Sequence, residues 1–202
     1  WDVNTGGQIR TLGSGKAFTS VAFSPDGKLL AAGNGAGSVW LWDAHTGTLM
    51  KTLTWPSMDI VKSVAFSRNG RMLAVVGGNI ALWSMDKGVW LKTLADSSSL
   101  VLSVAFSPDD RTLASGSTDG TTTLWNVSKG AVQKTLKGCK CWIFCVAFSP
   151  DGKVLVRGSM DGSVKLYSIA TGAATATLTG HKGSVYSLAI APNRDAIASG
   201  GD

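Results

Sequence analysis

A recurring aromatic residue at the end of a short apolar run constrains this chain more than any other feature. Leu41-Trp42-Asp43, Leu82-Trp83-Ser84, Leu124-Trp125-Asn126 and Leu166-Tyr167-Ser168 repeat one pattern, and Trp1-Asp2 has the form of its last two residues. The aromatic positions 1, 42, 83, 125 and 167 are spaced by 41, 41, 42 and 42 residues. A second marker keeps the same beat: Val21-Ala22-Phe23, Val64-Ala65-Phe66, Val104-Ala105-Phe106, Val146-Ala147-Phe148 and the weaker Leu188-Ala189-Ile190. Two independent markers at one period define a repeat, and periods of roughly 20–50 residues belong to solenoids, propellers and arrays.

Within each unit the sequence alternates short strands with tight turns. The apolar triplet leads into Ser24-Pro25-Asp26-Gly27 or Ser149-Pro150-Asp151-Gly152, with looser versions at Ser67-Arg68-Asn69-Gly70 and Ser107-Pro108-Asp109-Asp110. Proline presets the φ of a turn, and Asp-Gly or Asn-Gly accepts the positive φ that a hairpin requires. A small-residue strand such as Leu113-Ala114-Ser115, a second turn at Thr118-Asp119-Gly120 and the strand bearing the aromatic residue follow. A third turn (Thr46-Gly47, Lys87-Gly88, Lys129-Gly130, Thr171-Gly172) leads to a fourth strand ending in Thr-Leu. No helical periodicity interrupts this order. The second unit is two residues shorter between Leu73 and Trp83 than its neighbours, which predicts a tighter second hairpin. Gly33-Asn34-Gly35-Ala36-Gly37 looks like a phosphate loop, but a strand follows it instead of a helix, so it reads as a hairpin turn.

A four-stranded sheet cannot bury both faces alone, whereas packing successive sheets face to face around an axis buries them all. At this point the units resemble WD-repeat β-propeller blades, over essentially the whole chain. The resemblance implies an all-β propeller of four-stranded antiparallel blades. Five repeat units fall at 3–43, 44–84, 85–126, 127–168 and 169–202, the last completed by residues 1–2 or by sequence beyond the chain. Rings of this family usually have seven blades, roughly 290 residues at this period. The expectation is therefore a portion of a longer ring; the rival is a five-bladed ring closed by its own ends.

The resemblance also implies a buried hydrogen-bond tetrad in each blade: His of a Gly-His pair, Ser or Thr on the second strand, Asp in the next turn and Trp on the third strand. Carried over residue by residue, no unit holds all four. Unit three supplies Ser115, Asp119 and Trp125, with Ser97 where His is expected. Unit four has Cys139, Arg157, Asp161 and Tyr167, and unit five has Gly180-His181 and Ser199. Units one and two keep only Trp42 and Trp83. Each hydrogen bond contributes roughly 0.5–1.5 kcal/mol net, so apolar packing is expected to dominate stability. His181 then caps its blade and is not a catalytic base.

Composition narrows the function. Hydrophobic residues make up 44% of 202 and charged residues only 16%, which excludes a disordered charged chain. No apolar run approaches the ~20 residues of a membrane helix, and Trp1-Asp2-Val3-Asn4 is no secretory start. The odd trio Cys139, Cys141 and Cys145 is no spread disulfide framework; it favours a reducing, intracellular setting, cytoplasmic or nuclear. Its spacing offers too few ligands for a zinc site, and small core residues are the preferred reading. His45 sits in a turn where no catalytic partner is specified, so no catalytic residue, cofactor or metal is assigned, and small-molecule substrates and membrane insertion are disfavoured. Arg10, Lys51, Lys92 and Lys134 share one register just before Thr-Leu on the fourth strand. Charges there blunt an exposed strand edge and are spread around a rim, which disfavours nucleic acid despite a net charge of +6.

In WD-repeat relatives, partners dock on the top face through the first strand and the turn before the tetrad Asp. Carried over, these positions give Leu100, Leu102 and Thr118 in unit three, Trp142, Phe144 and Met160 in unit four, Ser184 and Tyr186 in unit five, Ile60 and Lys62 in unit two, and Ala17 and Thr19 in unit one. Large apolar side chains thus gather in three adjacent units, as interaction sites require; the alternative is that Trp142 and Phe144 turn inward as core. The expectation is a non-catalytic scaffold for peptides or proteins contacting Trp142, Phe144, Tyr186, Leu100, Leu102 and Met160, with Lys62 at the margin. A structural subunit of a large multiprotein or ribonucleoprotein assembly is the alternative.

Overall fold

A computed structural model of the chain describes residues 1–13, 15–54, 59–94, 99–138 and 140–202. Every element among them is a strand. Unit one contains β1 (Phe18–Phe23), β2 (Leu29–Asn34), β3 (Ser38–Asp43) and β4 (Leu49–Thr54). Unit two contains β5 (Ser63–Phe66), β6 (Met72–Gly77), β7 (Asn79–Ser84) and β8 (Val89–Leu94). Unit three contains β9 (Val101–Phe106), β10 (Thr112–Ser117), β11 (Thr122–Asn126) and β12 (Ala131–Leu136). Unit four contains β13 (Ile143–Phe148), β14 (Val154–Ser159), β15 (Val164–Ser168) and β16 (Ala174–Leu178), and β17 (Val185–Ile190) pairs with β18 (Ile197–Gly201). Units one to four are antiparallel meanders of four strands in sequence order, and β17–β18 is a two-stranded hairpin.

The turns form for the reasons their residues suggest. Ser24, Ser67, Ser107 and Ser149 are buried, and each hydroxyl accepts the N–H of the residue that begins or borders the second strand, at 2.9–3.0 Å. Each also donates to the Asp or Asn two residues on. In the fourth unit the Ser149 hydroxyl, the Lys153 N–H and the Arg194 guanidinium together hold Asp151 down to a pKa of about 2. Gly27, Gly70 and Gly152 take the positive φ that closes these turns. The shortened second hairpin is as tight as its length predicts: Gly77 lies opposite Asn79, leaving Gly78 alone at the apex with φ of 76°.

The first strands of successive units are neighbours (β1, β5, β9, β13, β17), so they lie innermost. One apolar cluster fills each junction. Val39, Leu41 and Leu53 meet Val61, Leu73 and Trp83 between units one and two. Ile80, Leu82 and Leu94 meet Val104, Leu113 and Trp125 next. Leu124 and Leu136 meet Ile143, Leu155 and Tyr167, and Cys145, Val156 and Val164 meet Val185. The repeated aromatic residue therefore packs against the preceding unit. Burial pushes the Cys145 thiol up to about 11, and its sulfur lies 3.6 Å from the Val185 carbonyl. Cys141 is half-buried and partnered, and Cys139 lies outside the described residues.

Two polar links accompany each of the first three clusters. Ser20, Ser63 and Ser103 on the first strands accept the N–H of Val64, Val104 and Val146 on the next unit, at 3.0–3.3 Å. The fourth-strand cations act across these joints and, through Arg10, across the one between residues 1–12 and unit one. Arg10 donates to the His45 carbonyl (3.0 Å), Lys51 to Gly88 (2.7 Å), Lys92 to Ser128 (2.7 Å) and Lys134 to Ala170 (3.1 Å). Their role differs from the strand-edge guard expected from sequence: each satisfies a backbone carbonyl in the following unit's last turn. A lysine or arginine stem is long enough to cross the joint, and sequence register alone does not reveal the carbonyl at its end.

The tetrad survives in pieces. Trp125 Nε1 donates to the Ser115 hydroxyl at 2.9 Å, both buried, while Asp119 turns to Thr121. His181 Nε2 and Ser199 Oγ lie 2.8 Å apart. Ser97 lies outside the described residues. Trp42 is buried edge-on to Phe18, with Trp40 beside both rings. Trp83 is buried with no partner for its indole nitrogen among the described residues. Trp125→Phe is accordingly expected to cost about 1–3 kcal/mol, because it strands the Ser115 hydroxyl. Trp83→Phe should be close to neutral. Urea denaturation compares the two, and equal losses would show that the indole bond contributes nothing beyond ring packing.

The units form an open arc, in which the five-bladed ring closed by the chain's own ends is not made. Val64, Val104 and Val146 are 6–7% exposed beneath the preceding unit, whereas their counterpart Val21 is 65% exposed.

Candidate partner-binding face

The aromatic positions are placed by an irregularity that recurs in the first strands. Between Phe18 and Ser20, Val101 and Ser103, Ile143 and Cys145, and Val185 and Ser187 the ladder skips one residue. A bulge of this kind leaves one side chain unpaired and re-aims it. The skipped residues are Thr19, Leu102, Phe144 and Tyr186, four of the positions expected to face a partner. Just upstream, each chain segment is tied to the turn after its second strand. Leu100 carbonyl accepts the Thr118 N–H and Trp142 carbonyl accepts the Met160 N–H, both at 2.9 Å.

These ties bring most of the expected site together. Trp142 meets Phe144 edge to face with ring centroids 5.9 Å apart, and Phe144 meets Tyr186 of the next unit at 4.9 Å. The ladder thus crosses the joint between units four and five. Trp142, Met160, Tyr186 and Leu100 are 48, 52, 51 and 59% exposed, so the inward-turned alternative does not hold for Trp142. Phe144 and Leu102 are half-buried. Lys62 is exposed on unit two at the same register as Phe144, two units away from it.

A carboxylate flanks the ladder on each side. Tyr186 donates its phenol to Asp202 at 3.2 Å, a partner the sequence did not signal. Asp161 follows Met160. Partial burial raises its pKa, but the Ser163 and Ser159 hydroxyls and the Ser163 N–H outweigh that and bring it below the usual carboxylate value. Sequence reading also passed over a concavity at the opposite mouth, lined by Pro25, Phe66, Phe106, Pro108, Phe148 and Pro150. Its signal was present: the Phe of each Val-Ala-Phe triplet keeps the same period, and a Pro follows two residues later in units one, three and four, with Arg68 in its place in unit two.

Radially stacked four-stranded meanders with their first strands innermost define a β-propeller blade array. The chain belongs to the WD domain, G-beta repeat family, whose repeat it matches over residues 6–43, 88–126, 130–168 and 172–202. Residues 44–87, which contain the shortened hairpin, fall between the matched segments. No curated protein matches the chain. WD repeats generally mediate protein–protein interaction and are typically non-catalytic. Among the described residues no helix is long and apolar enough to cross a membrane.

Proposed function

We propose that the chain is a rigid, non-catalytic scaffold that captures a peptide or folded protein on its bulged aromatic face, inside the cell, in cytoplasm or nucleus. The observation supporting this is the Trp142–Phe144–Tyr186 ladder, exposed at both ends yet fixed by ring contacts and backbone ties. Rigid exposed aromatics are the usual anchors of an interface, because they desolvate large area at little entropic cost. Leu100, Leu102 and Met160 extend the apolar surface, and Lys62 lies at its margin.

Trp142→Ala with Phe144→Ala is expected to weaken partner capture by about tenfold or more, the scale of a hot-spot pair, and to leave Tm nearly unchanged. Loss of stability with unchanged capture would overturn the reading. A second reading, permanent burial in a multiprotein or ribonucleoprotein assembly, is supported by the outer rim, where Val89, Trp90 and Leu91 of β8 are consecutive exposed apolar residues. Trp90→Ser separates the two, because it should impair assembly only if the rim is covered. The cations Arg10, Lys51, Lys92 and Lys134 are engaged with carbonyls around that rim, which argues against a phosphate-tracking stripe.

A further inference from the structure

The mouth opposite the aromatic face is lined by one repeated apolar motif with a single charged exception. The first strands of units two, three and four end in Phe66, Phe106 and Phe148, each half-buried. Pro25, Pro108 and Pro150 stand two residues beyond the first strands of units one, three and four. These six side chains border a concavity of about 470 Å³, a size at which ligand pockets of roughly 300–1,000 Å³ begin to hold whole groups. At the proline position unit two carries Arg68, which is exposed and lines the same concavity. Among the described residues of the lining it is the sole charged one.

Two further observations set Arg68 apart. No ion pair engages its guanidinium among the described residues, while the carboxylates of the surrounding turns are occupied. Asp26, Asp109 and Asp151 accept from Ser24, Ser107 and Ser149 of their own turns. Asp110 accepts the backbone N–H of Arg68 and, at 2.9 Å, that of Asn69 across the joint. The turn that carries Arg68 is thereby fixed from the next unit. Asp110 does this at a φ of 60°, where units one, two and four have Gly27, Gly70 and Gly152. A non-glycine residue pays strain for that conformation, which persists only where its surroundings hold it.

We infer that this mouth is a second docking site, which takes an extended protein segment presenting an apolar side chain beside a carboxylate. Charge complementarity selects the occupant: an apolar bowl with one unpaired guanidinium matches an apolar group that carries one anion, and it disfavours a basic segment. The planar guanidinium holds a carboxylate through two parallel bonds. Proline has no N–H, so the prolines offer a ligand's main chain no donor, and Arg68 is the polar anchor. Phe and Pro side chains lose little freedom on contact, which suits them to a preformed surface. Pro25 and Pro150 are exposed, so the concavity is an open bowl that a length of chain can cross. Arg68, Phe106 and Phe148 lie in units flanked on both sides, so the site does not depend on the outermost units. It is also independent of the Trp142–Phe144–Tyr186 ladder at the other mouth.

Fluorescence anisotropy with two end-blocked, fluorescein-labelled peptides tests the inference: Gly-Phe-Glu-Phe-Gly and its twin with Gln in place of Glu. The Glu peptide is expected to bind the 202-residue chain saturably, and the Gln twin about tenfold more weakly, the worth of one charge-assisted contact. Arg68→Glu, at an exposed position, should abolish binding of the Glu peptide with Tm unchanged, and Arg68→Lys should retain part of it. Trp142→Ala with Phe144→Ala should leave this binding intact, so failure here and failure of the aromatic face are told apart. Equal affinity for the two peptides, undiminished binding to Arg68→Glu, or no saturable binding would overturn the inference. Phenylpropionate competing as tightly as the unlabelled Glu peptide would also overturn it, in favour of a small aromatic acid as the occupant.

Discussion

Gly116→Ala is expected to destabilise the chain by roughly 1–3 kcal/mol, the cost of overpacking a filled interior, while Gly200→Ala leaves the urea midpoint almost unmoved. Both glycines occupy the same register of a second strand, opposite the first-strand Ser103 and Ser187 respectively. A Cβ on Gly116 would stand 2.6 Å from Ile143 Cγ2 and 3.2 Å from the Ile143 carbonyl oxygen, so backbone as well as side chain is in the way. On Gly158 it would meet Cys145 Sγ at 2.6 Å and Val185 Cγ1 at 2.7 Å. On Gly200 the nearest atom is Ser187 Cβ at 3.9 Å. The requirement for glycine therefore comes from the neighbouring blade and not from the turn or from φ. Unit two carries Val76 at this register and packs it against Val101, so a junction can be built around a larger residue. Ile143→Ala should accordingly recover part of the loss in Gly116→Ala, a coupling that a double-mutant cycle measures. Equal losses in Gly116→Ala and Gly200→Ala would mean that strand propensity, not junction packing, sets the effect.

Arg157→Met is expected to stabilise the chain, by about 1–4 kcal/mol if this site behaves as other buried ionic groups do. Arg157 is fully buried at the second-strand position where unit three has Ser115. Its Nη1 donates to the Gly120 carbonyl at 3.1 Å, and its guanidinium lies over the Tyr167 ring at 5.0 Å. Nε and Nη2 have no partner among the described residues, and burial lowers the pKa of the group against the pull of Tyr167 and Asp161. Methionine keeps much of the volume, removes the stranded donors and sets a sulfur on the ring. Arg157→Ala should do the opposite, costing about 2–5 kcal/mol through the cavity it opens. Gly138 is coupled to this site, since a Cβ there would run into Nη2 of a side chain with no room to move. Gly138→Ala should therefore cost more in the natural background than in Arg157→Met. If Arg157→Met loses as much as Arg157→Ala, the guanidinium contributes net stability and the argument fails.

The repeat period, the four-strand meander and the hairpin at Gly33–Gly37 were legible because each depends on local chemistry: alternation, Pro-Asp-Gly turns and a shortened loop. The indole bond of Trp125 was legible for the same reason, as a matched pair in one unit. The exposure of Trp142 was not. A bulge between Ile143 and Cys145 breaks the two-residue alternation at that point, so sequence cannot say which face the neighbouring rings take. The carbonyl partners of Arg10, Lys51, Lys92 and Lys134 were hidden too, since each lies 35–37 residues away in another unit. Arg157 read only as a lost tetrad serine; its burial follows from the junction around it.

The cross-joint bonds of the fourth-strand cations have an evolutionary corollary. Units one, two and three each donate such a bond forward and accept one from behind, at the same register, whereas unit four accepts one and carries Ala176 at the donor position. Any of these three repeats can therefore be duplicated or deleted in the gene without orphaning a donor or an acceptor at the new joint. A deletion of any other length would mismatch both. Such a joint is compatible with blade counts that differ by whole repeats of nearly constant length, and the shortened hairpin of unit two is a change confined to the interior of one repeat.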